Sequence, residues 1–166
     1  LYKRLVKRKN RRFSYRFVFM PETIGSICYL DKKFKQLKKN ILGGYIVSLT
    51  GGSGPIVYRT SRQLNSLADN IVIRNLKQSK YLIEDFNPSK GNDQRQFCSP
   101  GYNLPIGSIT HTKPKKTEEF HTSYDDLKFI SKNNIIKITN FCEKIVDDYE
   151  KIKIYKNIKE FGEPFL

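Results

Sequence analysis

The order of patterns along this 166-residue chain predicts an α/β domain with a largely parallel or mixed sheet covered on both faces. Short runs of aromatic and β-branched residues alternate with longer stretches whose apolar positions recur at helical spacing. The length is about one domain's worth, enough to bury a core without a disulfide or metal staple. Apolar residues make up 38% of the chain and aromatics 13%. With no low-complexity tract, that composition excludes a disordered chain despite a mean hydropathy of −0.57.

The elements follow in order. Residues 1–12, LYKRLVKRKNRR, hold seven basic residues and read as the solvated end of a helix. Tyr15 to Met20, YRFVFM, has the composition of a buried strand. Pro21-Glu22-Thr23 ends it, and Thr23 is placed to cap a helix from Ile24 to about Lys39 with Ile24, Ile27, Cys28, Leu30, Phe34 and Leu37 on its apolar face. Gly43-Gly44 breaks that pattern. Tyr45 to Leu49 is a second strand, and the TGGSGP turn leads to a short third strand, Ile56 to Tyr58. Thr60 and Gln63 have capping-box spacing ahead of a helix ending near Gln78. Tyr81 to Ile83 is a fourth strand.

Asn87 to Leu104 contains Pro88, Gly91, Pro100 and Gly101 and shows no periodicity; a loop of that length inside a compact domain tends to be functional. Pro105 to Thr110 is a fifth strand, followed by a charged loop from Thr112 to Glu119. Ser123 and Asp126 repeat the capping spacing. Ile135, Ile138, Phe141, Cys142, Ile145, Val146, Tyr149 and Ile152 then mark a long amphipathic helix. No internal repeat or linker divides the chain, so residues 1–166 read as one unit.

Charge and cysteine usage narrow the partners. Lys and Arg number 31 against 16 Asp and Glu, a formal charge of +15. A basic excess raises anionic partners, but lysine is spread along the whole chain and few aromatics interleave with the basic run at 1–12, so nucleic acid is not expected. Three cysteines without CxxC spacing indicate a reducing compartment, read as cytoplasmic, and no cysteine-based zinc site. The longest uncharged apolar runs, FVFM and YIVSL, fall far short of the ~20 residues of a membrane span.

Three places carry residue types suited to chemistry. His121, one of only two histidines, lies in EFHTSYDDL, ahead of a helix, with Asp125 near enough in sequence to orient its imidazole. From spacing alone it reads more readily as a surface histidine beside a helix cap. Glu22 stands where a strand gives way to a helix, the place where α/β sheets put their sites. There it can bind metal, act as a general base, or simply favour the helix dipole. Asp93 lies in GNDQRQFCSPG, where it either pairs with Arg95 or helps wall a substrate pocket. The TGGSGP turn lacks the Gly-Lys-Ser/Thr ending of a phosphate loop.

PETIGS after an aromatic strand, GGYIVSLTG, NDQRQFCSPGYNLPIGS and EFHTSYDDLKFI occur in that order. Together they resemble the C-terminal half of the aminopeptidase-like domain of bacterial polysaccharide-biosynthesis proteins. That domain is similar to the zinc-dependent aminopeptidase and glutaminyl cyclase superfamily. The resemblance implies a three-layer αβα sandwich, a mixed central sheet and a zinc site at the strand ends. It makes His121 the last metal-ligand histidine, Asp125 the acid that follows it, and Glu22 a metal ligand or the general base. Under a hydrolase reading, Arg95 or the Ser99-Pro100-Gly101 backbone is placed to hold the substrate, and the loop of Asp93 to wall its pocket.

One zinc is expected rather than two, since Leu49-Thr50-Gly51-Gly52-Ser53 lacks the acid that the superfamily carries after its next strand. An upstream histidine and aspartate implied by the resemblance are absent. The chain therefore reads as part of a longer protein with an incomplete ligand set, and is expected to be inactive alone. The implied function is hydrolysis of an amide or peptide bond, in a small peptide or an amide-bearing sugar precursor. The alternative is a non-catalytic binding or scaffold module using its basic surface on anionic glycans or nucleic acid.

If the basic excess forms no groove, oligonucleotide binding will be weak and will fall steeply with salt. Fluorescence anisotropy across a salt series checks this; tight, sequence-selective binding near physiological salt contradicts it.

Overall fold

The computed structural model describes residues 1–76, 82–111, 119, 121–153, 155 and 162. The helices are α1 (Tyr2–Val6), α2 (Ile24–Asn40), α3 (Leu67–Leu76), α4 (Gln94–Phe97) and α5 (Lys132–Lys151); the strands are β1 (Gly44–Ser48), β2 (Val57–Arg59), β3 (Leu82–Glu84) and β4 (Ile106–Thr110). The strands form one sheet in the order β1-β4-β2-β3. β1 pairs parallel with β4, β2 antiparallel with β4, and β3 parallel with β2, so the sheet is mixed. Among the described residues, no helix is long and apolar enough to cross a membrane.

Side chains alternate across a strand, and here the alternation feeds two apolar clusters. Tyr58 and Ile109, partners across β2 and β4, pack with Ile71 and Val72 of α3 and with Ile138, Phe141 and Ile145 of α5. Ile106, three residues before Ile109, belongs to the other cluster with Leu30 of α2 and Phe97 of α4. The two clusters thus take their strand residues from opposite faces of the sheet.

A buried carboxylate organises the first cluster. Asp69, in the first turn of α3, is fully buried. It accepts hydrogen bonds from Tyr58 Oη (2.7 Å), the Ser61 amide (2.7 Å), Ser61 Oγ (2.6 Å), and the amide and hydroxyl of Ser66 (3.0 and 2.6 Å). Burial alone would raise its pKa; the bonds from Ser61, Ser66 and Tyr58 outweigh burial and hold the carboxyl below its ordinary value. For Tyr58 to reach it, the neighbouring strand must be bare. A Cβ at Gly107 would lie 2.3 Å from Tyr58 Oη, and only glycine fits. Beside it, Tyr45 donates to the Ala68 carbonyl (2.9 Å) and meets the Tyr149 hydroxyl at 3.2 Å.

Several expectations are corrected. The predicted first strand, Tyr15 to Met20, forms no ladder; it runs unpaired, with Phe19 90% exposed. A strand needs a neighbour, and among the described residues none lies against it, which leaves four strands rather than five. The 1–12 run is helical only over Tyr2–Val6 and is not a free solvated face. Arg4 and Arg8 pair with Glu143 (2.7 and 2.8 Å), Arg8 also with Asp147 (2.5 Å), and the Arg12 amide donates to Glu150. Two of the seven basic side chains in that run, Arg4 and Arg8, are thus paired with the acidic face of α5. Ile24, Ile27 and Cys28 of α2 are exposed, so its buried face is narrower than the pattern implied.

The caps differ too. α3 starts from Ser66, whose hydroxyl bonds the Asp69 amide (3.2 Å) while Asp69 bonds back. Thr60 instead accepts from the Phe86 amide. Ser131, not Ser123, caps α5, while Asp126 Oδ1 accepts from the Lys128 amide within a turn. Tyr81, the end of the helix predicted to Gln78, and most of the charged loop from Thr112 to Glu119 lie outside the described residues.

Replacing Asp69 by Ala strands buried donors on Tyr58, Ser61 and Ser66 and is expected to cost about 3 kcal/mol. Urea unfolding with a constant slope checks this. Because the folded-state pKa is depressed, the stabilisation is present above the unfolded value of about 3.9 and is lost as pH falls through the folded value. The advantage of wild type over the Ala variant should therefore shrink only below about pH 4.

Candidate functional site

The C-terminal ends of the parallel strands β1 and β4 carry a polar rim. Asn92 Nδ2 donates to Ser48 Oγ at the end of β1 (2.9 Å). The His111 amide, just past β4, donates to the Leu49 carbonyl (3.3 Å). The β1 exit loop is held from below α5: the Ser131 amide donates to Gly51 O (2.9 Å) and Asn134 Nδ2 to Gly52 O (2.8 Å).

Asp93 joins this rim to Glu22. Its Oδ1 accepts from the Thr23 amide (2.6 Å) and from Ser26 Oγ (2.8 Å), and the residue is buried. Asp93 therefore caps the N-terminus of α2, where the Thr23 side chain makes no capping bond. Thr23 sits at φ 61°, ψ −67°. A β-branched residue with positive φ is a backbone outlier, held there by surrounding contacts. Glu22 immediately precedes it, exposed to solvent, its carbonyl accepting from the Ile24 amide.

The 91–101 loop is rigidly built. Arg95 Nε donates to the Asn92 carbonyl (3.3 Å), not to Asp93, so the Asp93–Arg95 pair, one of the two readings of this loop, is not formed. Ser99 is half-buried and its carbonyl accepts from the Tyr102 and Asn103 amides. Gly101 is exposed, and a Cβ there would meet nothing. Cys98 Sγ donates to the carbonyls of Leu104 (3.4 Å) and Ile106 (3.1 Å), and Arg62 Nε donates to Cys98 O (2.5 Å). Burial pushes the Cys98 thiol pKa up.

The His121 segment is a run of turns. His121 and Asp125 are both exposed, His121 has φ 62°, and the Asp125 amide donates to the Thr122 carbonyl. Around them Glu119, Tyr124, Asp126, Lys128 and Phe129 line an open groove.

The structure thus brings Glu22 and Asp93 to one region, the N-terminus of α2, with Arg95 two residues further along the same loop. It ties the chain that follows His121 to the β1 exit loop through Ser131. Among the described residues, no group of three His, Cys, Asp or Glu side chains is arranged to hold a metal ion.

Two rim residues were not singled out from sequence. His111 is buried, and neither of its ring nitrogens has a hydrogen-bond partner among the described residues; Asn92 Oδ1 also lacks one. The available signal for His111 was its position directly after a strand that ends at the sheet's C-terminal edge.

The mixed α/β sheet with its polar rim at parallel strand ends is structurally similar to part of an aminopeptidase fold. The chain belongs to the family described as "Domain of unknown function (DUF4910)", which matches residues 1–151.

It is 36% identical over 157 residues to a Clostridium acetobutylicum protein named "Putative polysaccharide biosynthesis protein with aminopeptidase-like domain". The match takes in 93% of this chain and 36% of that protein, so the chain spans little more than a third of its relative's length. A crystal structure of a "putative peptidase" from Clostridium acetobutylicum superposes with a TM-score of 0.84 at 35% identity, over 99% of this chain and 38% of the other. The Legionella pneumophila LapA aminopeptidase shares the fold at 13% identity, TM-score 0.57, over 79% of this chain and 36% of its own.

Removing the Asp93 carboxylate leaves the Thr23 amide and the buried Ser26 hydroxyl without their acceptor. Asp93→Ala is expected to cost about 2 kcal/mol. Faster hydrogen exchange at the first amides of α2, with α5 unchanged, checks that the loss is local.

Proposed function

We propose that this chain forms the part of an aminopeptidase-like hydrolase domain that contributes Glu22 and His121, in a three-layer αβα sandwich of the zinc-exopeptidase kind. The observation that carries the reading is the rim. Asn92 of the 91–101 loop is hydrogen-bonded to the end of β1, Asp93 of the same loop holds the Glu22 turn, and the start of α5 after His121 is bonded to the β1 exit loop. Family membership and the named relatives support it.

A catalytic zinc needs three protein ligands and an open position. Glu22 and His121 supply two donors, and the described residues hold no group of three. These residues do not by themselves fit a zinc ion. What they offer is a solvent-facing carboxylate at a helix N-terminus, able to take a proton from water, and an imidazole on a separate segment. The completing ligands would come from chain outside this sequence.

Arg95, Ser99 and Gly101 lie on the loop fastened beside Glu22, where a substrate amide would pass; Asp93 serves by holding that loop. The substrate class we favour is a peptide or an amide on a sugar precursor, in line with the name of the Clostridium relative. Three free cysteines suit a reducing, cytoplasmic setting.

The test uses the isolated chain and a longer polypeptide that carries it within a complete domain. The isolated chain should neither take up zinc stoichiometrically nor hydrolyse aminoacyl substrates. The longer protein should bind zinc, and His121→Ala should weaken that binding at least ~10-fold by metal titration. Tight zinc uptake by the isolated chain, or no effect of His121→Ala, overturns the assignment.

A further inference from the structure

We propose that the groove between the second half of α2 and Tyr102 binds an acidic polysaccharide, a chain of sugar rings that carry carboxylates. Lys35 stands about 16 Å along the α2 axis from Ile24, so this surface is separate from the Glu22 turn. It does not depend on the hydrolase reading.

Residues 31–39 of α2 read DKKFKQLKK, five lysines against one acid. Lys32, Lys33, Lys35, Lys38 and Lys39 are all exposed. Lys38 and Lys39 sit in the last turn, where the helix dipole accounts for them. Lys32 and Lys35 lie in mid-helix, where it does not. Among the described residues neither forms an ion pair, in contrast to Arg4, Arg8, Arg59 and Arg74. Their charge is left for an anion from outside the chain.

Lys32 and Lys35 also line a groove of about 460 Å³, together with Leu30, Asp31, Phe34 and Tyr102. The Phe34 and Tyr102 rings meet edge-on with centroids 4.8 Å apart, and Lys38 Nζ lies 5.5 Å from the centre of the Phe34 ring. Tyr102 is held by its own turn, its amide donating to the Ser99 carbonyl (3.0 Å). Two separate segments thus fix the aromatic wall, and little ordering is required when a ligand arrives.

The mixture of side chains selects the ligand. An aromatic wall suits a flat apolar surface, which a pyranose ring offers through its C–H bonds. Ammonium groups at the rim suit carboxylates. Asp31 decides against the other common polyanion. Its carboxylate accepts hydrogen bonds from sugar hydroxyls, but it repels the closely spaced phosphates of a nucleic acid.

The probe is tetragalacturonate, titrated by calorimetry into the longer polypeptide that carries this chain within a complete domain. Its uncharged methyl ester and a single-stranded oligonucleotide of equal charge are the comparisons. Tetragalacturonate should bind about tenfold or more tighter than either. Lys32→Gln with Lys35→Gln should weaken it at least ~10-fold, since each removes a charge-assisted hydrogen bond. Lys137→Gln with Lys144→Gln, an equal charge change at exposed positions of α5, should alter it less than about twofold, because distant surface charges are screened. Tyr102→Leu keeps an apolar side chain but removes the ring, and should weaken binding about fivefold at low and high salt alike. Circular dichroism should match wild type for all three variants. The readout is binding, not hydrolysis, so the result stands apart from the zinc test. The proposal is overturned if tetragalacturonate does not bind, or if the ester or the oligonucleotide binds as tightly. It is also overturned if the α5 pair costs as much as the α2 pair, or if Tyr102→Leu changes nothing.

Discussion

Five hydrogen bonds converge on the carboxylate of Asp69, and much of the first layer is arranged around satisfying it. An ionised carboxyl out of water is tolerated only when its lone pairs are filled. Filling them fixes the turn at Ser61, sets the start of α3 at Ser66 and aims Tyr58 across the sheet. With α3 so placed, Ile71 and Val72 present the floor on which α5 lies. α5 in turn offers Glu143, Asp147 and Glu150 to the arginines of the N-terminal segment. Those exposed ion pairs add little stability individually; their role is to choose where that segment lies.

On the opposite face Asp93 and Cys98 give the 91–101 loop the same kind of anchorage. Cys98 is a thiol used as a buried donor to two carbonyls, and its raised pKa suits it to packing rather than reactivity. Asp93 reaches across 70 positions of sequence to hold the turn at Thr23. The rigidity of the loop and the orientation of Glu22 are therefore one property, set by one carboxylate.

The long helices and short strands were legible because periodicity is a local signal: α2, α3, α5, β1, β2 and β4 all fall within a few residues of their sequence-derived positions. What was misread depended on distant partners. YRFVFM has every intrinsic mark of a strand, but a ladder requires a neighbour that these residues do not supply. Thr60 with Gln63, and Ser123 with Asp126, have capping spacing yet lose to Ser66 with Asp69 and to Ser131. The true cap of α2 is not a neighbour in sequence at all. The basic run at 1–12 reads as solvated because its acidic counterparts lie more than 130 residues away. For the site, the sequence singled out Glu22, Asp93 and His121 by residue type and position. It did not show that Asp93 is a buried brace, or that His111 and Asn92 belong to the rim.

The tyrosine that crosses from β2 to Asp69 has a hereditary consequence. Its hydroxyl occupies the space above Gly107, where a methyl group would lie 2.3 Å away. Positions 58, 69 and 107 therefore form a single evolutionary character, although they sit on three different elements. A lineage cannot gain a side chain at 107 while it retains the tyrosine. Once the tyrosine is gone, the buried acid loses one of its donors. The route between variants of this fold should run through simultaneous or compensated change at all three positions, and aligned descendants should divide into those that keep the whole set and those that have replaced it.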